Sequence, residues 1–321
     1  MQDLSLPFIA NTDHAWFDYL ADVSRFTHLD EVNFWQPKAV RPMKRMLAGA
    51  PVFFRLKGAR SCIAGYGFFV SFAVVQLSTA WELFGIKNGD PDEARFRNRI
   101  GRYRGVDLLD PSVVAAPIGC NVLRNATFWP PERWIPWGDA EEWPMNVVQG
   151  ATIRDVAARE RLLAQIAVDG TPFPAELGET FEPVAVDGRR MASVEQIVRE
   201  GQGTFRMRLL EAYEGQCAIT GEHTQPVLDA AHVQPYLGPA SNHVQNGLLL
   251  TKELHALFDR GYVTVTPDHV VKVSRRLRAD WNNGRRYEQF DGKALAFVPR
   301  ASPLRPSSRA LAWHAEERFL G

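Results

Sequence analysis

The feature that most constrains this chain is the segment LDAAHVQPYLGPASNHVQNGLLLTKELHALFDRGYVTV, at residues 228–265. A short apolar run typical of a strand surrounds His232, and NGLLLTKELHALFDRG opens on a turn signal and continues with apolar residues at helical spacing. His255 and Asp259 are four residues apart and share one face of that helix. A strand, a loop and a helix therefore carry His232, Asn246 and His255 within reach of one another.

The order of these residues resembles a known nuclease motif. AAH, then N, then H before LFDRG is similar to the HNH motif, in which two strands and one helix hold a single divalent metal, the ββα-metal fold. The resemblance implies that His232 is the general base that activates water, that Asn246 orients the loop or that base, and that His255 binds the metal. It also implies a divalent cofactor, with Mg²⁺ or Mn²⁺ as the first candidates and Ni²⁺, Co²⁺ or Zn²⁺ as further options.

Phosphodiester hydrolysis is consistent with these roles. An imidazole whose ordinary pKa is about 6.5 can take a proton from water at neutral pH. A metal with an open coordination position neutralises the charge that develops on the phosphate and on the leaving oxygen. The alternative interpretation is that the histidines only satisfy loop and core hydrogen bonds, but the ordered set is much more specific than any single histidine.

Ala231 departs from the family pattern. Many HNH proteins place Asp or His immediately before the base as another metal ligand, and alanine cannot coordinate a metal. Asp229 is the nearest carboxylate and is the candidate for that ligand, or else it hydrogen-bonds the facing loop. Two supporting candidates are His243, which contacts phosphate or metal or is solvated, and Asp259, which orients His255 from behind or caps the helix end.

Basic residues are concentrated in two blocks although the net charge of the chain is zero. Residues 31–110 carry 13 basic and 7 acidic side chains, and residues 201–321 carry 15 and 12. The segment VVKVSRRLRADWNNGRRYEQFDGK alternates as strands do, and guanidinium groups bind phosphate bidentately. We expect DNA phosphate contacts from Arg275, Arg276 and Arg278, and the alternative is a solvated strand edge protected by charge.

Two regions of the chain differ in texture. Residues 33–152 contain short apolar and aromatic runs broken by Gly, Pro and charged turns, which predict strands of a compact barrel or sheet. Helices are predicted at STAWELFG, with Ser78 or Thr79 as the N-cap, and at DEARFRNRIGRYR. The helical run IRDVAARERLLAQIAVDG is followed by a Pro-, Gly- and acid-rich stretch typical of linkers. We therefore predict an α+β protein with an N-terminal domain at 1–153, a helical and acidic linker at 154–201 and a nuclease domain at 202–321.

The front region resembles a module that reads modified bases. NFWQP, GYGFF, AWELFG, IGCNVL, WIPW and NVVQG are similar to the PUA-like (EVE-type) β-barrel, with peripheral helices, that is fused to HNH domains in modification-dependent restriction endonucleases. Such a module would flip a base into a pocket and stack it between aromatic rings. Trp35 and Tyr66 are the expected pocket walls, and Gly65 and Gly67 would permit close backbone approach. The expected phosphate contacts nearby are Lys38, Arg41, Lys44 and Arg45.

These features favour an endonuclease that cleaves double-stranded DNA containing 5-methyl- or 5-hydroxymethylcytosine and so restricts phage or foreign DNA. The alternatives are a non-cleaving reader of modified DNA, degenerate at Ala231, and an RNA-directed nuclease, because PUA-like modules also occur in RNA proteins. Cutting both strands from one centre would need a homodimer or two successive nicks. The sequence shows no CxxC pair, no apparent signal peptide and no run long enough to span a bilayer, so we expect a cytoplasmic protein with no membrane partner.

Overall fold

The chain forms two compact units, residues 1–176 and residues 177–321, in a computed structural model. The structure describes residues 6–39, 46–58, 60–106, 117–137, 150–172, 180–185, 187, 190–193, 196–198 and 200–321. Each unit has a hydrophobic core of its own, around Phe53 and Trp129 in the first and around Leu249 and Phe258 in the second. Because each core is assembled from both strands and helices, the predicted α+β class is confirmed.

The N-terminal unit is built on a seven-stranded, mainly antiparallel sheet. Its strands are β1 Phe8–Thr12, β2 Glu31–Gln36, β3 Pro51–Leu56, β4 Cys62–Gln76, β5 Pro117–Phe128, β6 Ile135–Pro136 and β7 Gly150–Thr152. The strand order is β2–β5–β4–β3–β1–β7, and β6 pairs with β4. The β1–β3 pair is parallel, and the register of β4 with both β3 and β5 shifts at irregularities. Such irregularities bend and twist a long strand.

Helices of the N-terminal unit begin at well-defined caps. They are α1 His14–Val23, α2 Leu77–Phe84, α3 Glu93–Arg104 and α4 Val156–Asp169. The side chains of Asp13, Asp92 and Asp155 each accept a backbone N–H at the start of α1, α3 and α4, as favourable N-caps do. The α2 cap predicted from Ser78 or Thr79 is wrong: Gln76 occupies the N-cap position without a side-chain hydrogen bond.

The segment expected to be a linker, residues 154–201, is divided between the two units. Leu162 and Ile166 of α4 are buried in the N-terminal core, and the carboxylate of Asp169 accepts a 2.8 Å hydrogen bond from the indole of Trp129. Phe181 instead packs in the C-terminal core. The linker was predicted from a composition rich in acidic residues and proline, which indicates exposure and turns. Composition does not show that one face of α4 packs in the N-terminal core.

The C-terminal unit consists of short hairpins surrounded by helices. Its strands are β8 Arg190–Ser193, β9 Gln196–Val198, β10 Leu228–His232, β11 Gly247–Thr251, β12 Val263–Val265 and β13 Val271–Val273. Its helices are α5 Gln202–Ala212, α6 Lys252–Asp259, α7 Arg276–Trp281, α8 Arg285–Glu288 and α9 Ser308–Glu317. The pairs β8–β9, β10–β11 and β12–β13 are antiparallel. Leu209 of α5, Phe258 of α6 and Leu311 of α9 pack with β10 and β11 in one core.

The chain after Val273 is helical, so the strand-like alternation predicted for it is wrong beyond that residue. The hydroxyl of Ser274 accepts the backbone N–H of Arg276 at 3.1 Å, and Leu277 of α7 is buried. In the sequence, a single apolar residue among arginines is compatible with either a strand or a helix. In the structure, the segment is helical and packs through Leu277. Among the described residues, no helix is both long enough and apolar enough to span a membrane.

Candidate functional site

A β-hairpin followed at once by a helix holds the His/Asn/His motif. β10 and β11 pair with His232 directly opposite Gly247, and α6 continues from the end of β11. A Cβ atom at Gly247 would lie 2.8 Å from the ring of Phe205 and 2.6 Å from Leu209. Glycine at this position therefore allows α5 to pack directly over the hairpin beside the histidine.

A cleft of about 360 Å³ opens beside this hairpin and brings four of the predicted site residues together. Asp229 and His232 of β10 and His255 of α6 all line it. Asp259 lines the same cleft one helical turn after His255, and the walls also include Gln202, Tyr236, His314 and Arg318. Strand and helix thus meet at one concave, polar surface, whereas Asn246, which the sequence spacing also placed within reach, is not among the residues lining it.

The contacts that orient the ring of His232 include a stacked aromatic ring and a hydrogen bond to Asn242. Phe205 stacks on it with the ring centroids 4.1 Å apart and the planes within 14°. The Nε2 atom of His232 lies 3.1 Å from Oδ1 of Asn242, and Nδ2 of Asn242 donates to the carbonyl of Glu200 at 2.6 Å. Because the Glu200 carbonyl fixes which way the amide faces, Oδ1 is an acceptor and Nε2 of His232 carries the proton. Nδ1 is then the basic nitrogen of the ring.

Asn246 is a structural clamp on the loop between β10 and β11. Its Oδ1 accepts the backbone N–H of Gln234 at 2.8 Å, and its Nδ2 donates to the carbonyls of Gln234 and Ser241 at 3.0 and 2.9 Å. The side chain is fully buried. Of the two roles expected for Asn246, the geometry corresponds to orienting the loop, whereas the contact with His232 is made by Asn242.

Asp229 and His255 form a close imidazole–carboxylate pair. Oδ2 of Asp229 lies 2.9 Å from Nδ1 of His255, and Oδ1 accepts the backbone N–H of Ala230 at 3.0 Å. Burial raises the pKa of Asp229, but His255, the Ala230 N–H and Arg206 together outweigh burial and hold the pKa below its usual value. The carboxylate is therefore ionised at neutral pH and able to act as a ligand.

The side chains at the cleft provide two of the ligands that a divalent metal ion needs, one carboxylate and one imidazole. Within the described ranges, no cluster of three or more His, Cys, Asp or Glu side chains arranged to hold a metal was found. The 2.9 Å separation between Asp229 and His255 is close to the spacing of about 3 Å between neighbouring ligands of an octahedral ion with bonds of about 2.1 Å. An imidazole and a carboxylate are ligands that divalent transition metals and Mn²⁺ accept. Asp229 and His255 would hold the ion, with the remaining positions open to water and substrate.

The other predicted residues of the motif occupy different positions. Ala231 is completely buried in the core and does not line the cleft, so the carboxylate near His255 comes from Asp229 instead. His243 is 8% exposed, lies beside the ring of Phe181 and accepts the Gln245 N–H through Nδ1. Since His243 is not among the residues lining the cleft, the structure does not bring it to the site.

Asp259 remains in a supporting position. Its Oδ2 lies 3.4 Å from Nε2 of His255, one turn earlier on α6, and its side chain is 58% exposed. Each ring nitrogen of His255 therefore has a carboxylate beside it, Asp229 at Nδ1 and Asp259 at Nε2. A carboxylate paired with an imidazole nitrogen fixes the orientation of the ring.

Sequence reasoning missed two groups in the cleft that come from far along the chain. His314 of α9 stacks on Phe258 with the centroids 3.7 Å apart and hydrogen-bonds Thr264 at 2.8 Å. Burial lowers the pKa of His314 to about 4, so it is neutral and cannot serve as a cation at neutral pH. Arg318, exposed at the end of α9, is the cation of this wall. The segment LAWHAEERF gave only a packing signal, and no local motif pointed to either residue.

The expected pocket residues of the N-terminal unit lie in the core, which corrects that prediction. Tyr66 is fully buried, packs on Phe53, Phe68 and Trp129, and its hydroxyl hydrogen-bonds Thr171 at 2.7 Å. A Cβ at Gly65 would lie 2.2 Å from a backbone oxygen of β5, and one at Gly67 would press on Leu123. These glycines permit close packing inside the sheet rather than approach of a ligand.

Trp35 belongs to a different cluster from Tyr66. Its indole N–H donates to the carbonyl of Asn88 at 2.9 Å, and its ring packs edge-on against Phe96 and Tyr103. Trp35 and Tyr66 therefore do not face each other across one pocket. Aromatic residues in polar, Gly-rich sequence settings can still be core residues, because sheet partners distant in sequence supply the packing.

The predicted phosphate-binding residues are exposed where the structure describes them. Arg275, Arg276 and Arg278 are solvent-exposed, with long contacts of 3.5 Å from Arg276 to Asp280 and 3.8 Å from Arg278 to Glu288. Lys38 is also exposed. The other three predicted contacts, Arg41, Lys44 and Arg45, lie outside the described residues.

The hairpin and the helix that follows it form a ββα arrangement beside the cleft that holds Asp229 and His255. Residues 217–266 match the family model described as HNH endonuclease, so the prediction of an HNH domain is confirmed for that segment. A search of curated proteins found no match. The match begins at Cys217 and ends before α7, so it contains β10, β11 and α6 but neither His314 nor Arg318.

Solved structures provide two further similarities. The ASCH protein of Zymomonas mobilis, a PUA-like fold, aligns with the N-terminal half at 10% identity and a TM-score of 0.34, covering 50% of this chain and 94% of that chain. A point mutant of that protein gives the same identity and score over 49% of this chain and 96% of that chain. The modification-dependent TagI restriction endonuclease aligns at 12% identity and a TM-score of 0.25, covering 90% of this chain and 75% of that chain.

Proposed function

We propose that this protein is a metal-dependent endonuclease that hydrolyses phosphodiester bonds in DNA containing modified cytosine. The observation that carries the proposal is the convergence of Asp229, His232 and His255 on one cleft inside the segment that matches the HNH endonuclease family. A base, a pair of metal ligands and an open polar surface are the parts that phosphodiester hydrolysis requires.

His232 acts as the general base. Asn242 holds the proton on Nε2, so Nδ1 removes a proton from the attacking water as its oxygen bonds to phosphorus and the bond to the leaving 3′-oxygen breaks. Stacking on Phe205 keeps the ring from rotating during the transfer. An imidazole held in one tautomer and one orientation needs no rearrangement at the moment of reaction.

Asp229 and His255 are the metal ligands of this proposal. A divalent cation bound there supplies the positive charge that stabilises the phosphate as its negative charge increases. Asp259 beside Nε2 of His255 restrains the imidazole, and Asn246 holds the loop that positions the base. Arg318, the exposed cation in the cleft wall, contacts a non-bridging phosphate oxygen, since a guanidinium binds such oxygens in pairs.

DNA with modified cytosine is the proposed substrate, and the enzyme restricts foreign or phage DNA. The choice of cytosine modification rests on the resemblance of the front-region segments to modules of modification-dependent endonucleases. The exposed Arg275, Arg276 and Arg278 provide contacts to the DNA backbone that are independent of sequence. Because the proposed HNH centre would contact chiefly the phosphate and sugar of the DNA, we assign discrimination between bases to the N-terminal unit.

A cleavage panel tests this function. Duplexes of identical sequence containing cytosine, 5-methylcytosine, 5-hydroxymethylcytosine or its glucosylated form are incubated with the protein and Mg²⁺ or Mn²⁺, alongside an RNA duplex of the same sequence. We expect cuts in a modified duplex and none in the cytosine duplex. Equal cutting of all DNA duplexes would contradict the modification dependence, and cutting of RNA alone would contradict DNA as the substrate.

A non-cleaving reader of modified DNA is the second candidate. The observation in its favour is that position 231, where many HNH proteins carry a ligand, holds a core alanine, which leaves Asp229 and His255 as the close ligand pair. The same panel distinguishes it: selective binding of a modified duplex without any cleavage in either metal would favour the reader.

A further inference from the structure

Two residues of the loop between β10 and β11 reach back to the same backbone residue, Glu200. The hydroxyl of Tyr236 accepts the backbone N–H of Glu200 at 2.9 Å, and the amide of Asn242 donates to the carbonyl of Glu200 at 2.6 Å. Tyr236 is 5% exposed and Asn242 is 1% exposed, so water has little access to either contact. Glu200, which lies just before α5, is therefore held through both its N–H and its carbonyl.

The same two loop residues contact the imidazole of His232. The ring of Tyr236 lies edge-on to it, with the centroids 6.0 Å apart and the planes at 67°. Oδ1 of Asn242 lies 3.1 Å from Nε2 of His232, and the side-chain amide of Gln202 donates to the same Oδ1 at 3.5 Å. The proposed base is thus contacted by two side chains that share one backbone anchor.

Hydrogen bonds within the loop fix the spacing between Tyr236 and Asn242. The hydroxyl of Ser241 accepts the backbone N–H of Leu237 at 3.0 Å, which joins the residue after Tyr236 to the residue before Asn242. Asn246 in turn donates to the carbonyl of Ser241 at 2.9 Å. Because the loop is cross-linked in this way, Tyr236 and Asn242 hold Glu200 as one rigid unit.

The hydroxyl of Tyr236 can influence His232 without touching it. Its bond to the N–H of Glu200 restrains the residue whose carbonyl fixes which way the Asn242 amide faces. An amide that is not restrained can turn its NH₂ group towards a neighbour in place of its oxygen. The Nε2 proton of His232 would then lose its acceptor, and the other tautomer of the ring would become accessible.

We propose that Tyr236 is a positioning residue for the base. Through the backbone of Glu200 it keeps the oxygen of Asn242 towards Nε2 of His232, and so keeps Nε2 protonated and Nδ1 able to accept a proton from water. This inference deepens the proposed function and rests on it for the role of His232 as the base. It assigns Tyr236 no contact with DNA, and it requires the hydroxyl, whereas a packing role would require only the ring.

NMR spectroscopy can determine the tautomer of His232 without substrate or metal. Full-length wild type, Tyr236→Phe and Asn242→Ala are prepared with isotope-labelled histidine, and proton–nitrogen spectra of the rings are recorded above neutral pH, where an imidazole is mainly uncharged. The signals of His232 are assigned by their loss in His232→Gln. We expect one tautomer, protonated at Nε2, in wild type and a mixture of tautomers in Tyr236→Phe and in Asn242→Ala.

Steady-state cleavage separates positioning from substrate binding. Tyr236→Phe should lower kcat by about three- to tenfold, the effect of one hydrogen bond, and should leave KM unchanged. In the double variant, Tyr236→Phe should add nothing to the loss caused by Asn242→Ala, because both act through the same contact. The matched control is Tyr262→Phe, which loses a hydroxyl hydrogen bond to Asp280 outside the cleft and should match wild type in both experiments.

The proposal is overturned if His232 in wild type is not the Nε2-protonated tautomer, if Tyr236→Phe keeps the wild-type tautomer, if its loss of rate adds in full to that of Asn242→Ala, or if only KM changes. Thermal unfolding checks that Tyr236→Phe is folded. If it is not, hydrogen exchange in wild type decides: the Glu200 amide should be protected, and exchange at the rate of a free amide would overturn the proposal.

The tautomer and the cleavage rate are measured independently, so the two proposals can fail separately. A protein that shows the expected spectra but never cuts DNA loses the nuclease assignment and keeps the link from Tyr236 to His232. A protein that cleaves modified DNA, but whose His232 tautomer does not respond to Tyr236→Phe, loses only the role of Tyr236.

Discussion

The two units differ in how the side chains that meet in their clefts are distributed along the chain. In the C-terminal unit, Asp229, His232 and His255 lie within one hairpin and the helix that follows it, and they meet in one cleft. In the N-terminal unit, Asp13, Asp90 and Tyr103 converge on another cleft from a helix cap, a turn and a distant helix. A site built inside one local motif can be recognised from sequence spacing, whereas a site assembled from distant elements depends on the fold.

Apart from the general base, the largest effect is expected at Asp229, one of the two proposed metal ligands. Asp229→Asn removes a ligand charge next to His255, so cleavage should fall by about 10²–10³-fold and Mn²⁺ affinity, followed by electron paramagnetic resonance, should fall with it. Asp268→Asn, an exposed carboxylate in the β12–β13 turn, is the matched control. Unchanged Mn²⁺ binding by Asp229→Asn would mean that the metal is held elsewhere. It would contradict the proposal that the ligands lie within the β10–β11 hairpin and α6.

Asn242 should have the next largest effect, through the base rather than through the substrate. Asn242→Ala removes the acceptor that fixes the His232 tautomer, so cleavage should fall by about 10–100-fold with a displaced pH profile. Asn242→Asp keeps an acceptor for His232 but loses the amide donor to the Glu200 carbonyl, so its activity should lie between those of Asn242→Ala and wild type, while Asn283→Ala on the surface should have no effect. An unaltered pH profile in Asn242→Ala would show that His232 is oriented by other contacts.

His314 predicts a pH dependence of stability in the C-terminal unit. Its pKa is lowered by burial to about 4 in the folded state and is about 6.5 when unfolded, so the unfolded chain binds more protons between these values. The contribution of neutral, buried His314 to the free energy of unfolding is therefore fully present above about pH 6.5. The free energy of unfolding then decreases as the pH falls towards 4, by about 2–3 kcal/mol in total. His314→Gln, compared by urea unfolding across that interval, should lack this component; equal slopes would contradict a buried, neutral His314.

The smallest effect is expected at Arg318. This residue lines the cleft but lies outside the segment that matches the HNH family, so it tests whether the site extends beyond the local motif. If Arg318 contacts the scissile phosphate, Arg318→Ala should lower kcat/KM for cleavage by about tenfold without changing Mn²⁺ affinity. Arg260→Ala, an exposed arginine at the end of α6, is the control. If Arg318→Ala cleaves like wild type, the site is confined to the local motif.

The sequence predicted most of the C-terminal site because its parts are close along the chain. The convergence of His232 with His255 in one cleft is consistent with the strand and helix expected around them, whereas Asp229 was singled out as the carboxylate nearest to Ala231. Asn242 was not identified, since only the fold shows that its amide is fixed by Glu200. His243 was placed beside the site for its proximity in sequence, but the loop turns its ring towards Phe181.

The N-terminal unit was predicted as a class but not at its residues. The helix α3 and the stop of α4 at Gly170 were recognisable because acidic residues in a first turn and a glycine at a helix end are local signals. The burial of Tyr66 was not, because it depends on Trp129 and on Thr171, a residue 105 positions further along the chain. Likewise, the partners of Arg99 lie 9 and 86 positions away, and no sequence pattern connects them.

The most direct test of the proposed nuclease centre compares His232, the last residue of β10, with His243 in the loop that follows. Single-turnover cleavage of a modified duplex is measured with wild type, His232→Ala and His243→Ala at equal metal concentration. Loss of the general base should reduce the rate by about 10²–10⁴-fold in His232→Ala, while folded His243→Ala should stay within about twofold of wild type because its ring lies outside the cleft. Cleavage by His232→Ala at the wild-type rate, or a loss confined to His243→Ala, would contradict the assignment of His232 as the base.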